Sequence, residues 1–165
     1  MEQRKTIRPR NYLYEGLIIV EELIIVGIYW FVLGSWKYAL VAGGITYLVL
    51  AWTLRLSLQR YHRKGMKLLH NKQNPDAVLA FQSSYDFFSR YPWIDKYCFI
   101  TMFSSNAIPY RQMALNNMGI CYLYMEQNQK ALETFQKLAQ LNPDFPNIAK
   151  TIDEISKHMK EVAVP

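Results

Sequence analysis

Adjacent carboxylates inside an apolar run are the sharpest chemical feature of this chain. From Gly16 to Trp36 it reads GLIIVEELIIVGIYWFVLGSW, which places Glu21 and Glu22 among aliphatic residues. A charged side chain in hydrocarbon costs about 2.5–3.5 kcal/mol on insertion scales, so such groups face protein, water or a partner. Neighbouring helical residues diverge by about 100°, so one partner cannot serve both. Glu15 lies seven residues before Glu22, on roughly the same stripe, and Arg55 can reach back from the end of a second apolar run. Two readings stay open. Either the carboxylates sit shallow, snorkel or pair with Arg55, or they meet a partner's basic or polar group or line a proton or ion path.

The usual catalytic constellations are missing. His62, His70 and His158 make no metal-ligand spacing with one another or with Cys98 and Cys121. There is no GxSxG, P-loop or GxGxxG. Gly43-Gly44 lies within an apolar run and cannot cradle phosphate, and Asp153-Glu154 reads as a solvated helix face. The sequence therefore predicts no enzyme, no cofactor, no metal and no small-molecule substrate. The two cysteines, expected in a reducing compartment, read as small core residues and need not pair.

Two long elements must position the carboxylates. Gly16–Trp36 and Tyr38–Leu54 each approach the ~20 residues that span ~30 Å of hydrocarbon. Gly34-Ser35-Trp36-Lys37 is the only break, which predicts a tight transmembrane hairpin. Glu21 and Glu22 interrupt the apolar run and no small-x-small site follows it, against a cleaved leader. The spaced small residues Ala39 and Gly43, with Ala42, Gly44 and Gly27 nearby, favour close packing within the hairpin.

Charge sets the expected orientation. Residues 1–69 hold ten Lys/Arg against four Glu, and residues 70–165 hold nine against nine, so the whole +6 excess flanks the apolar segment. Arg4, Lys5, Arg8 and Arg10 precede the first run; Arg55, Arg60, Arg63, Lys64 and Lys67 follow the second; Lys37 alone lies between. Positive charge stays on the cytoplasmic side, so both termini are expected there, in a plasma or inner membrane. Tyr29, Trp30, Trp36 and Tyr38 suit the far interface, Tyr12 and Tyr14 the near one. A basic balance of this origin predicts lipid contact, not nucleic acid. With 51% hydrophobic residues and only 7 Gly and 7 Pro, disordered, collagen-like and low-complexity classes are excluded.

The C-terminal part repeats at an offset of 54 residues: Gln73–Gln82 matches Gln127–Gln136, and Gly65, Leu68 and Leu69 match Gly119, Tyr122 and Leu123. In the second copy Leu115, Met118, Gly119 and Tyr122 precede Ala131, Phe135 and Pro143. This pattern resembles the tetratricopeptide repeat (TPR), in which small residues let two antiparallel helices approach while aromatics fill the space beside them. The first copy keeps Gly65, Ala77 and Phe81, but Tyr61 and Lys64 replace the usual residues, and Ser89 stands where proline belongs. Its second helix is expected to run longer, with Ala77, Phe81, Tyr85 and Phe88 on one stripe. The second apolar helix is expected to continue unbroken through Gln59 into the repeat.

The resemblance implies a binding groove lined by the first helix of each copy: Asn116, Ile120, Leu123 and Tyr124, with His62, Met66, Leu69 and His70 from the weaker one. The Lys/Asn clamp for C-terminal carboxylates is not reproduced, so a more apolar ligand is expected; alternatively the groove is filled and serves packing alone. Pro146 is expected to open a capping helix with Ile148, Ile152, Ile155 and Met159 on one face. Trp93–Ile108 fits neither repeat. It is expected to cover the repeat core, with a dip into the membrane interface and a partner-binding element as alternatives.

The sequence thus predicts an all-α chain: a basic N-terminal segment over 1–15, a hairpin over 16–56 and a cytoplasmic repeat domain over 57–165. Within that domain the repeats span about 58–91 and 110–143, with the insert at 93–108 and the cap at 146–161. The expected function is a membrane-anchored scaffold binding membrane or membrane-associated proteins, as adaptor, assembly factor or accessory subunit. The alternative is a small integral subunit of a transporter, channel or membrane enzyme, whose function rests on Glu21, Glu22 and Arg55.

Overall fold

The computed structural model describes residues 10–163, with side chains as far as Glu161; Arg4, Lys5 and Arg8 of the expected basic flank lie outside the described residues. The described chain is helical, without strands apart from one isolated antiparallel bridge between Arg10 and Asn106. Its helices are α1 (Tyr12–Leu33), α2 (Trp36–Leu58), α3 (Arg60–His70), α4 (Asn74–Arg90), α5 (Pro92–Lys96), α6 (Cys98–Thr101), α7 (Tyr110–Tyr124), α8 (Asn128–Leu141) and α9 (Ile148–Ala163). They form two compact units. One holds the chain up to Gln59 together with Pro92–Pro109; the other holds Arg60–Tyr91 and everything from Tyr110.

In the first unit, Asn11 caps α1 by accepting the Leu13 N–H at 3.0 Å. Gly34 ends the helix at φ 64°, a left-handed backbone that glycine adopts without a steric penalty, and its N–H returns to Trp30 O. At 1.5 Å per residue α1 and α2 are about 33 and 35 Å long, and both are apolar enough to cross a membrane. They pack on each other where side chains are smallest. A Cβ on Gly43 would lie 2.8 Å from Val26 Cγ2 and 3.0 Å from its Cα, and Ala39 and Ala51 are buried. Tyr29 Oη and Thr46 Oγ1 share a hydrogen bond of 2.9 Å across the pair. Gly27, by contrast, faces open space and takes no part in this contact.

In the second unit the repeat is visible atom by atom. Lys72 and Glu126, 54 residues apart, both take positive φ, 59° and 58°. The same bonds close both turns: Lys72 N–H to Leu69 O and Gln73 N–H to Leu68 O, matched by Glu126 N–H to Leu123 O and Gln127 N–H to Tyr122 O. This is a helix C-cap in which a left-handed residue lets two N–H groups reach back to the last carbonyls. α4 packs on both α3 and α7, α7 on α8, and α8 on α9. As the sequence predicts, α4 runs longer than α8, 17 residues against 14; of the expected stripe it buries Ala77, Phe81 and Phe88, while Tyr85 is half-buried. α9 opens at Ile148, after a left-handed Asn147, and buries Ile148 and Ile155.

Two expectations are corrected. α2 does not run on into α3: Gln59 breaks the helix with φ −95° and ψ 8°, in the sparsely populated bridge region. Its amide points instead to Met102, with Nε2 3.6 Å from the sulfur. The insert, expected to cover the repeat core, packs in the unit of α1 and α2. The reason is a set of polar and aromatic contacts that those helices offer it.

Candidate functional sites

Two sets of residues were singled out by sequence, one on the repeat helices and one on the apolar pair. On the repeats, the spacing between helices is set by glycine. A Cβ on Gly65 would come within 2.7 Å of the Phe81 ring, and one on Gly119 within 2.6 Å of the Phe135 ring. Both rings are fully buried, so each copy holds its two helices together by the same glycine-on-ring contact.

That spacing decides which faces stay open. On α7, Tyr124 is exposed, Asn116 and Leu123 are half-buried, and Ile120 is buried. On α3, His70 is exposed while Met66 and Leu69 are half-buried. His62 is not a groove residue. Its ring sits in the core, 5.5 Å from Phe81 and 5.3 Å from Tyr110, both edge to face, and Tyr110 stacks on Phe88 at 5.2 Å. Met66 is drawn toward α7, where Asn117 Nδ2 donates to its sulfur at 3.4 Å. Sequence reasoning missed Asn117, a buried amide joining the first helices of the two copies. It also missed Gln112, whose Oε1 accepts from Asn142 Nδ2 at 3.0 Å between the start of α7 and the end of α8. The signals were a polar residue next to Asn116 in the case of Asn117, and one four residues before Asn116 in the case of Gln112.

On the apolar pair, Glu21 and Glu22 are half-buried, and Glu21 Oε2 is shut off from solvent without a hydrogen-bond partner. Arg55 does not reach back to either carboxylate. Its Nε donates to Met102 O at 2.9 Å and its Nη2 to Phe103 O. The guanidinium is a fork of donors, and the insert supplies two consecutive carbonyls to fill it. Around this fork, Phe103 sets its ring against Tyr47 at 5.1 Å, edge to face, and Phe99 lies 5.0 Å from Tyr14. Asn11 N–H donates to Ser105 O at 2.8 Å; Ser105 Oγ donates to Glu15 Oε1 at 3.4 Å, and Arg10 lies 3.7 Å from the same carboxylate. Glu15, expected on a polar stripe with Glu22, is thus engaged by the insert and by Arg10.

Both cysteines are free and buried. Burial, with Asp95 as a lesser cause, pushes the Cys98 thiol up to about 11, and burial pushes Cys121 up to about 12. Neither is a nucleophile near neutrality. Among the described residues no cluster of three His, Cys, Asp or Glu could hold a metal ion.

Residues 113–145, which take in most of α7, all of α8 and the turn after it, match the family model of the tetratricopeptide repeat. The match supports a protein–protein interaction module. Neither a curated protein nor a solved structure matches the chain.

Proposed function

We propose that this chain is a membrane-anchored interaction module, in which α1 and α2 form the anchor and the repeat unit docks a partner protein. The tetratricopeptide match over 113–145 is the observation that carries the reading, and the glycine-on-ring contact at Gly65 extends the same construction to the first copy. Anchoring is supported by α1, an apolar helix of 22 residues with no buried residue. Left in water, such a surface would be strongly unfavourable, at about 25 cal/mol per Å² of apolar area. The distribution of Lys and Arg supports both termini on the cytoplasmic side. The repeat surface offered to a partner runs from Leu69 and His70 on α3 to Asn116, Leu123 and Tyr124 on α7. It mixes apolar and aromatic contact with little charge, which suits an apolar peptide or protein surface better than a carboxylate terminus. The role is that of adaptor, assembly factor or accessory subunit of a membrane complex. Affinity purification of the full chain in mild detergent, with mass spectrometry of what remains bound, tests this. Leu123→Ala with Tyr124→Ala should abolish recovery of the partner; undiminished recovery would refute docking through α7.

A second reading is favoured by the orphaned Glu21 oxygen. In it the chain is a small integral subunit, and Glu21 and Glu22 meet a donor on a partner helix within the membrane. Glu21→Gln with Glu22→Gln should then disrupt assembly of the complex, and intact assembly would remove this reading.

A further inference from the structure

The insert is built as a membrane-depth element. From Trp36 to Arg55 the axis of α2 rises about 29 Å, the thickness of a hydrocarbon core. Long side chains on a helix lean toward its N-terminus, so Arg55 and Tyr47 both lean back toward the Gly34 turn. The carbonyls of Met102 and Phe103 meet Arg55, and the Phe103 ring meets Tyr47, eight residues or about 12 Å nearer the turn. The insert therefore runs beside the last turns of α2, within the stretch that spans hydrocarbon rather than beyond it.

Irregular backbone is tolerated at that depth only where its polar groups are satisfied by protein. Here they are. Arg55 takes the carbonyls of Met102 and Phe103, Asn11 N–H takes that of Ser105, Ser104 N–H donates to Cys98 O, and Cys98 Sγ lies 3.4 Å from Ser104 O. Met102, Phe103, Ser104 and Ile108 are buried. The opposite face is apolar and open: Trp93, Tyr97 and Ile100, spaced four and three residues apart, are 56%, 43% and 54% exposed. Lys96 lies beside them, its Nζ 5.4 Å from the Tyr97 ring centroid. Trp and Tyr with an adjoining Lys is the composition of a bilayer interface, where rings sit at headgroup level and ammonium groups reach phosphate.

We propose that α5 and α6 enter the headgroup–acyl boundary at the open end of the hairpin and present Trp93, Tyr97 and Ile100 to lipid. This rests on the anchoring of α1 and α2 in a bilayer. The insert packs in the same unit as those helices, with α6 directly on α1 and α5 on α6. The hairpin then has a third foot, which holds its open end at a fixed depth.

The test uses the full chain in phosphatidylcholine vesicles whose acyl chains are brominated near the headgroup. One variant keeps Trp93 as its sole tryptophan, with Trp30, Trp36 and Trp52 changed to Phe. A second carries Leu48→Trp, an exposed position midway along α2, with all four native tryptophans changed to Phe. Trp93 emission should be blue-shifted and quenched by shallow bromine, and protected from aqueous acrylamide. If Leu48→Trp is quenched by bromine near the chain ends while Trp93 is quenched only by acrylamide, the interface proposal is overturned and the anchor stands. If neither is quenched by lipid, both readings fall. The unaltered chain gives an independent measurement with a photoactivatable lipid reactive near its headgroup. Adducts on 93–100 support the proposal, and adducts confined to α1 and α2 overturn it.

Discussion

Adding one methyl group at Gly119 tests the packing that defines the repeat. A Cβ there would lie 2.6 Å from Phe135 Cζ and 2.8 Å from Cε1 and Cε2, where ordinary contact begins at 3.4 Å, so the ring must withdraw by about 0.8 Å. Phe135 is 1% exposed and has no solvent side to retreat into. Overpacking of this kind costs about 1–3 kcal/mol, against a gain of about 0.8–1.0 kcal/mol from replacing glycine by alanine within a helix. Gly119→Ala should therefore destabilise the repeat unit by about 0–2 kcal/mol. The double variant is more decisive. In a Phe135→Leu background the far edge of the ring is gone, and Gly119→Ala should become stabilising by about 1 kcal/mol. The coupling between the two sites should thus be about 1–3 kcal/mol.

Tryptophan fluorescence cannot follow this unit, because Trp30, Trp36, Trp52 and Trp93 all lie in the other one. Cys121 can. It is 0% exposed on α7, two residues beyond Gly119, so its alkylation reports opening of the repeat, with Cys98 as a reporter for the other unit in the same sample. Each 1.4 kcal/mol of destabilisation should speed Cys121 labelling about tenfold without changing Cys98. If Gly119→Ala slows labelling equally in both backgrounds, the sites are additive, and the close approach of α7 to α8 is not what holds the repeat. Gly65→Ala with Phe81→Leu asks the same question of the weaker copy.

Glycine at the left-handed turn positions should have the opposite effect. Lys72 and Glu126 bear the roughly 1–2 kcal/mol cost of that backbone; Glu126→Gly should recover part of it, about 0.5–1 kcal/mol, read as slower Cys121 labelling. The thiols make stability fall in alkali. Cys121 is raised from 9.0 to about 12, so the folded state favours the neutral thiol; its contribution is full below pH 9 and is lost as pH rises from 9 toward 12. Urea midpoints across that range should fall less steeply for Cys121→Ala than for the unaltered chain. Removing the Arg55 fork with Arg55→Met deletes hydrogen bonds from a charged donor, worth about 1.5–3 kcal/mol. It should speed Cys98 labelling by roughly 10- to 100-fold and leave Cys121 unchanged; equal labelling of Cys98 would show that the fork does not hold the insert.

The repeat was legible because its signals are local and its geometry is periodic. Gly119, Ala131 and Phe135 state which faces meet, and the matching Gly65, Ala77 and Phe81 survive in a copy that has lost its other marks. The long apolar helices were equally plain from length and composition. What sequence hid was the destination of the insert. Arg55 bonds to carbonyls 47 and 48 residues away, and a carbonyl is the same whatever side chain accompanies it, so no residue pattern could announce the pairing. His62 misled for a related reason. Its register matches a groove position, but the aromatic cage of Phe81 and Tyr110 turns it inward, and Tyr110 lies beyond the insert in the chain. Gln59 misled because nothing in LRLSLQRYH breaks a helix; the break becomes visible only beside Met102.

The route of the chain bears on how it can be made. It leaves the first unit at Gln59, returns from Pro92 to Pro109, and leaves again at Tyr110. At about 5–20 residues per second, the carbonyls that fill the Arg55 guanidinium are synthesised roughly 2–10 s after it. During that interval α1 and α2 can pair with each other, but Arg55 lacks the two carbonyls that later fill its guanidinium. α4 likewise waits for α7, which is synthesised only after the insert has passed. Neither unit is complete when its first helices emerge: the first can close once Pro109 has been made, and the second only after α7, α8 and α9 have followed.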